Sequence, residues 1–334
     1  MTKTLFRALA LLLLASAAAL AETHAPAPTP TPDHHDRKPD DVFRLQPLRG
    51  DVYALYGRGG NVGFFVGPDA VVVVDSEFKD IAPGIVAQIR SVSDRPIKYL
   101  VNTHHHGDHV GGNEVFRSFA VIIAQDNVRK RMLESPQVIL RTYPKELEEA
   151  KKAGNAEDVK FIEDAIAWAK KVKVDEIAAP MVTFDSELRI HVGPETIEVW
   201  HTPPAHTDGD SVIYFTKANV LHMGDLFFHG LVPFVDVSSG GSVRGYATAI
   251  DKVIARVPAD VIIIPGHGEV TDLKGLKEAR QFIADVLDAA AAAKKAGRTK
   301  EQFLSTVDLP AYKNYDGYKD RFKATCAAAY DEVP

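Results

Sequence analysis

Thr103-His104-His105-His106-Gly107-Asp108-His109-Val110-Gly111-Gly112 packs four histidines and one aspartate into six consecutive residues. It follows Ile97-Lys98-Tyr99-Leu100-Val101, an apolar run that reads as a buried strand. In the loop leaving a strand, residues i, i+2 and i+4 can converge on one point, and the adjacent Asp108-His109 pair can reach a second. Three shorter stretches downstream follow the same grammar: Pro204-Ala205-His206-Thr207, Met223-Gly224-Asp225 and Pro265-Gly266-His267-Gly268. Each lies at or just past the end of a strand-like run, where an open α/β sheet places its ligands. Imidazole and carboxylate without thiolate suit zinc, or iron or manganese in a similar site. His34-His35, in a Pro-rich stretch, reads as composition instead. The chain reads as built around a metal pair.

The order His104-x-His106-x-Asp108-His109, then His206, Asp225 and His267, resembles the metallo-β-lactamase superfamily from about residue 43 to 275. The resemblance implies an α/β fold, an αββα sandwich of two mixed β-sheets with helices outside and the metals at one sandwich edge. It also implies two Zn2+ per chain, with His104, His106 and His206 on the first and Asp108, His109 and His267 on the second. Asp225 would bridge them, as in the glyoxalase-II-type branch, and His105 is not a ligand in the family pattern. Asp108 is the expected catalytic residue, orienting a metal-activated water or relaying its proton. Asp75, at the end of the Val71–Val74 run, is a candidate acceptor for a ligand imidazole. His222 and His229 flank Asp225 and are not expected to be ligands.

Such a site implies hydrolysis of a small-molecule substrate through an ester, lactam or related bond, with a β-lactamase among the enzymes it would suit. The best-known zinc β-lactamases carry cysteine at the position of Asp225 and, three residues on, a lysine that grips the drug's carboxylate; here that second position is Phe228. A glyoxalase-II-like thioesterase or lactonase is the alternative enzyme, and a metal-stabilised periplasmic binding protein the alternative outside catalysis. The apolar stretch Phe227 to Pro233, with Phe234 beyond it, lines a pocket or packs in the core. A net charge of −6 without a basic stripe argues against nucleic acid.

Lys3 and Arg7 precede an apolar run of 13 residues, Ala8 to Leu20, and Ala19-Leu20-Ala21 fits a small-x-small cleavage rule. Residues 1–21 therefore read as a signal peptide cut after Ala21, since a spanning helix needs roughly 20 apolar residues. Export to the periplasm or beyond is expected, with no integral membrane segment after cleavage. Residues 22–40 read as a Pro-rich linker, and 41–334 as the catalytic domain. Cys326 is the single cysteine, so no intrachain disulfide can form, and it is expected to be buried.

Strands are expected at 51–56, 61–66, 70–74, 97–101, 120–124, 181–184, 188–191, 197–200, 212–215 and 261–264. Helices are expected at 83–92 and just after Gly111-Gly112. The segment 126–178 reads as an inserted pair of charged amphipathic helices, Lys145–Gly154 and Asn155–Val174, forming a lid or wall beside the metals or a solvated hairpin. C-terminal helices occupy 273–332, from Leu273 to Ala296 and from Tyr315 to Tyr330. They pack on the sandwich or support a homo-oligomer.

Overall fold

The computed structural model of the protein describes residues 43–334. The expected signal peptide and Pro-rich linker, with His34 and His35, lie outside the described residues. One sheet runs, in spatial order, through β1 (Arg44–Pro47), β2 (Val52–Tyr56), β3 (Val62–Val66), β4 (Val71–Val74), β5 (Ile97–Val101), β6 (Val121–Gln125) and β7 (Val182–Phe184). β1 to β4 form an antiparallel meander, and β4 to β7 pair in parallel. The second sheet holds β8 (Glu187–Val192), β9 (Glu195–His201), β10 (Ser211–Phe215), β11 (Val220–His222), β12 (Ile262–Ile264) and β13 (Thr271–Asp272). Its pairs are antiparallel except β11 with β12.

The side chains explain why the sheets stack. In β4 all four valines are buried. Val72 and Val74 join Val101, Ile123, Ile213, Phe215 and Ile264 in a core between the sheets. Val71 and Val73 point the other way, onto a helix, α1 (Ala82–Val92), through Ile85 and Ile89. A strand covered on both faces needs a continuous apolar run, which the four valines supply. Each such fully buried side chain stabilises by about 1.5–3 kcal/mol.

Two short helices, α2 (Gly107–Val110) and α3 (Asn113–Phe116), follow β5. A long helix, α4 (Asp126–Ala153), and α5 (Ala156–Lys171) come next. The outer face of the second sheet is covered by α6 (Val243–Arg256), α7 (Leu273–Lys295), α8 (Lys300–Thr306) and α9 (Phe322–Glu332). The architecture is the αββα sandwich expected from the sequence.

Three local expectations change. The helix expected from Lys145 starts at Asp126 and runs through Pro136 and Pro144. Each proline removes one N–H bond, yet the Arg, Lys, Met, Leu and Glu around them are strong enough helix formers to carry the helix past. Helix α6 was not expected, although Val243, Tyr246, Ala247, Ile250 and Val253 recur at helical spacing and are buried. Its cap is Ser242, whose side chain accepts the Gly245 N–H at 2.9 Å. The last helix begins at Phe322 rather than Tyr315, because Pro310–Tyr312 and the turns after it form irregular structure instead.

Leu133–Ile177 separates as a compact unit of its own. Within it, Ala150 and Ile162 are buried among Tyr143, Leu147, Val159 and Ile166, and Lys151 pairs with Glu163 at 2.8 Å. Cys326 lies at 0 % exposure in the core beneath α7, and burial pushes its thiol up to about 12. Among the described residues no helix is long and apolar enough to cross a membrane.

Candidate metal centre

The candidate residues all leave the ends of neighbouring strands. Asp75 follows β4, and His104 to His109 follow β5; His206 lies in the β9–β10 connection, Asp225 follows β11 and His267 follows β12. The parallel directions of β4, β5, β11 and β12 bring these exits to one edge of the sandwich. Backbone conformation then fixes the approach. Gly224 has φ +50°, and a Cβ there would lie 2.6 Å from Thr103, so only glycine lets Asp225 turn inward.

The seven expected ligands form two buried clusters. In the first, His206 Nε2 lies 3.2 Å from His104 Nε2 and 2.8 Å from His106 Nδ1. In the second, Asp108 Oδ2 lies 3.3 Å from His267 Nε2 and 3.7 Å from His109 Nε2. Asp225 stands between them with its oxygens divided. Oδ2 faces His206 Nε2 at 3.3 Å and His104 Nε2 at 3.8 Å, whereas Oδ1 faces His109 Nε2 at 3.1 Å and His267 Nε2 at 3.4 Å.

The outward nitrogens of His104, His106, His109 and His206 are engaged, which fixes those rings. His106 Nε2 donates to Asp236 Oδ2 at 3.0 Å, His206 Nδ1 to the Phe234 carbonyl at 2.7 Å, and His109 Nδ1 to Asp75 Oδ2 at 2.8 Å. Asp75 also takes the Thr103 N–H (2.8 Å) and hydroxyl (2.7 Å), and that hydroxyl oxygen accepts from His104 Nδ1 at 3.0 Å. Asp75 thus meets His109 of the second cluster directly and reaches His104 of the first only through the Thr103 hydroxyl. Its φ of +64° places it in the left-handed region, a local strain held by these bonds.

The inward atoms are what a metal would need. His109 Nε2, both Asp225 oxygens and Asp108 Oδ1 are buried and make no hydrogen bond. Such orphaned polar atoms are costly unless a cation completes them. Burial opposes charge throughout, yet the divided carboxylates win on the second cluster, where Asp225 and Asp108 raise His267 to about 9 and hold His109 well above its usual value. Burial and the neighbouring imidazoles push His104 down, and burial lowers His206 to about 4. The donor set of imidazoles and carboxylates fits a divalent metal in each cluster.

Two supporting residues escaped the sequence reading. Asp236 is a lone acid in the apolar stretch Phe234-Val235-Asp236-Val237, and that isolation was its signal. Glu77 is fully buried, with its carboxyl pushed up to about 8 by burial, and its Oε2 accepts the N–H groups of Arg58 (3.1 Å) and Gly59 (2.6 Å). It thereby pins the β2–β3 loop against the second cluster, where a Cβ on Gly60 would lie only 2.1 Å from the His109 ring.

His222 is buried, with Nε2 on the Asn61 carbonyl (3.1 Å) and Nδ1 accepting from Gly224 N (3.1 Å), and His229 bonds the Glu269 carbonyl. Both lie outside the clusters. His105 also stands apart from the seven, with Nε2 3.3 Å from Ser239 Oγ. Phe227, Phe228 and Phe234 are buried, at 1 %, 3 % and 3 % exposure, and Phe228 also lines a small apolar cavity with Leu226, Leu231, Pro233 and Tyr246. Phe228 stacks on His267 (5.2 Å between centroids, 10°) and meets His206 edge-on at 5.9 Å, which wedges it behind both clusters.

The family model of the metallo-beta-lactamase superfamily matches residues 55–267. The chain belongs to this superfamily. An uncharacterized protein of Aquifex aeolicus (strain VF5) is 28 % identical over 233 residues, covering 67 % of this chain and 96 % of its own. The linear primary-alkylsulfatase of Pseudomonas sp. (strain ATCC 19151) is 25 % identical over 267 residues, 73 % of this chain and 49 % of its own, so this chain spans about half of that enzyme. Among solved structures, a metallo-beta-lactamase from Pontibacter korlensis superposes with a TM-score of 0.54 at 17 % identity, over 72 % of this chain and 99 % of the other, a likeness of fold. The protein is a metal-dependent hydrolase of the superfamily, acting on a small-molecule substrate.

Proposed function

We propose that the protein is an exported, binuclear zinc hydrolase of ester-type bonds. The division of Asp225 carries the two-metal reading, because one carboxylate oxygen faces each histidine cluster. His104, His106 and His206 would hold the first metal, Asp108, His109 and His267 would hold the second, and Asp225 would serve both through its divided oxygens. A metal pair held this way would supply Lewis acidity and, by bringing the pKa of bound water from 15.7 to about 7, a nucleophile at neutral pH.

The chain's own groups do the rest. The Asp108 carboxyl is held down at about 2, since the His109 and His267 charges outweigh its burial, so it is ionised across the working range. Its Oδ1 makes no hydrogen bond and would accept one from an attacking water, orienting it. The Asp75, Asp236 and Phe234 acceptors keep the imidazoles aimed inward.

The burial of Phe228 bears on the substrate. A β-lactam needs a cation to grip its carboxylate, and the position that carries lysine in zinc β-lactamases is here a wedge between imidazoles. That position therefore lends no cation to a lactam's carboxylate, and lactam cleavage is expected to be a side activity. The alkylsulfatase relative brings sulfate esters into consideration beside carboxylic esters, thioesters and lactones. Export rests on Lys3, Arg7 and the Ala8–Leu20 run.

The test is a hydrolysis screen on protein from Glu22 onward, with zinc and with chelator. It uses an alkyl sulfate, a carboxylic ester, a lactone, a thioester, a phosphodiester and a chromogenic cephalosporin. Chelator-sensitive cleavage of an ester with slow or absent cephalosporin turnover is expected. Fast cephalosporin turnover would overturn the ester assignment, and no turnover in protein holding two metals would overturn the panel as a whole.

A further inference from the structure

His105 is the one histidine of the motif that the metal pair leaves unused. It is half-buried, its Nδ1 is enclosed and makes no hydrogen bond, and its Nε2 lies 3.3 Å from Ser239 Oγ. Its ring packs 4.7 Å from that of His106, and the ligating atoms of His105, His106 and Asp236 fall within 4.8 Å of one another. His106 is already committed, with Nδ1 toward the pair and Nε2 on Asp236.

Asp236 is not saturated. Its Oδ2 accepts from His106 Nε2, and its Oδ1 accepts from Ser238 Oγ (2.6 Å) and Ser239 N (3.1 Å). An ionised carboxylate offers about four acceptor positions, so one remains for a further partner. The carboxyl stays ionised, with its histidine and serine donors outweighing burial. The nearby cation, Arg131, is neutralised by Asp208 through bonds of 2.5 and 2.6 Å.

We propose that His105, Asp236 and the Ser239 hydroxyl form a third, weaker cation site beside the metal pair, and that its occupancy inhibits the enzyme. An imidazole, a carboxylate and a hydroxyl suit a borderline divalent ion such as Zn2+. Three protein donors, one of them a neutral hydroxyl, bind more weakly than the clusters around Asp225. Inhibition follows from the shared residue. A cation on Asp236 draws the carboxylate from the His106 N–H, and loss of such an orienting partner typically costs 10–100-fold in metal affinity or activity.

The site itself rests on His105 and Asp236, and only its inhibitory consequence rests on the two-metal reading above. The experiment is equilibrium dialysis of zinc against the chain from Glu22, wild type beside His105→Ala, with metal counted by mass spectrometry. The wild type should take up one more equivalent than His105→Ala, at zinc well above that filling the tight sites. Hydrolysis of the best ester should fall in the wild type over the same zinc range and stay level in the variant. Equal uptake by both proteins would overturn the site. One equivalent lost in His105→Ala, with inhibition unchanged, would keep the site and overturn its regulatory role. The count is a difference between two proteins, so it stands whichever number of tight metals is found.

Discussion

Asp75→Asn isolates the orienting network from the ligands themselves. Asparagine is nearly the same size and tolerates the left-handed φ of +64°, so the backbone has no reason to move. What changes is the pattern of donors. Asp75 receives three, His109 Nδ1–H, the Thr103 N–H and the Thr103 hydroxyl, with none of the four groups more than 1 % exposed. An amide can accept on one atom only, and its NH2 then confronts either the His109 N–H or the Thr103 N–H. Loss of an acceptor behind a metal-ligating histidine typically costs 10–100-fold in affinity, which is about 1.4–2.7 kcal/mol. The second metal should bear that loss directly through His109. The first should lose less, because His104 meets Asp75 only through the Thr103 hydroxyl. Competition with a chromogenic chelator resolves the two affinities. The reasoning fails if both stay within twofold of wild type, or if the first site weakens more than the second.

Three further outcomes are expected from the same structure. Phe228→Lys should not create a β-lactamase; it removes a buried aromatic between His206 and His267, and should destabilise by at least the roughly 3–5 kcal/mol of a buried Phe truncation, read as a fall in the denaturant midpoint. Metal binding should release protons at pH 7–8, because His267 in the metal-free protein titrates at about 9 and must be neutral to ligate. Affinity should then rise with pH up to about 9 and gain nothing further from this group above it, as an indicator-dye titration would reveal. Cys326 should resist a thiol reagent in the native protein and react at once on unfolding, given its burial and a thiol held near 12.

The strand-exit motifs were legible in the sequence because metal chemistry accepts few side chains and the sheet offers few places for them, while the family resemblance implied which seven of their residues to expect as ligands. A histidine or aspartate just past a buried strand has little other use, and the exits of β5, β11 and β12 deliver theirs to one edge. Asp75 could be read for the same reason. Glu77 could not, and Asp236 offered only its isolation among apolar residues, since each acts through a partner that the fold supplies: the Arg58 and Gly59 backbone for one, and His106 from 130 residues away for the other. Phe228 shows the limit of apolarity as a signal, because a pocket wall and a core wedge have the same composition. The helix running through Pro136 and Pro144 marks another limit, where summed propensity outweighs two breakers.

Anomalous scattering at the zinc edge from zinc-loaded crystals shows whether the Asp225 carboxylate spans two metals. Two peaks roughly 3.5–4 Å apart are expected, one against each Asp225 oxygen. A single peak, or a second one away from Asp108, His109 and His267, would contradict the bridge.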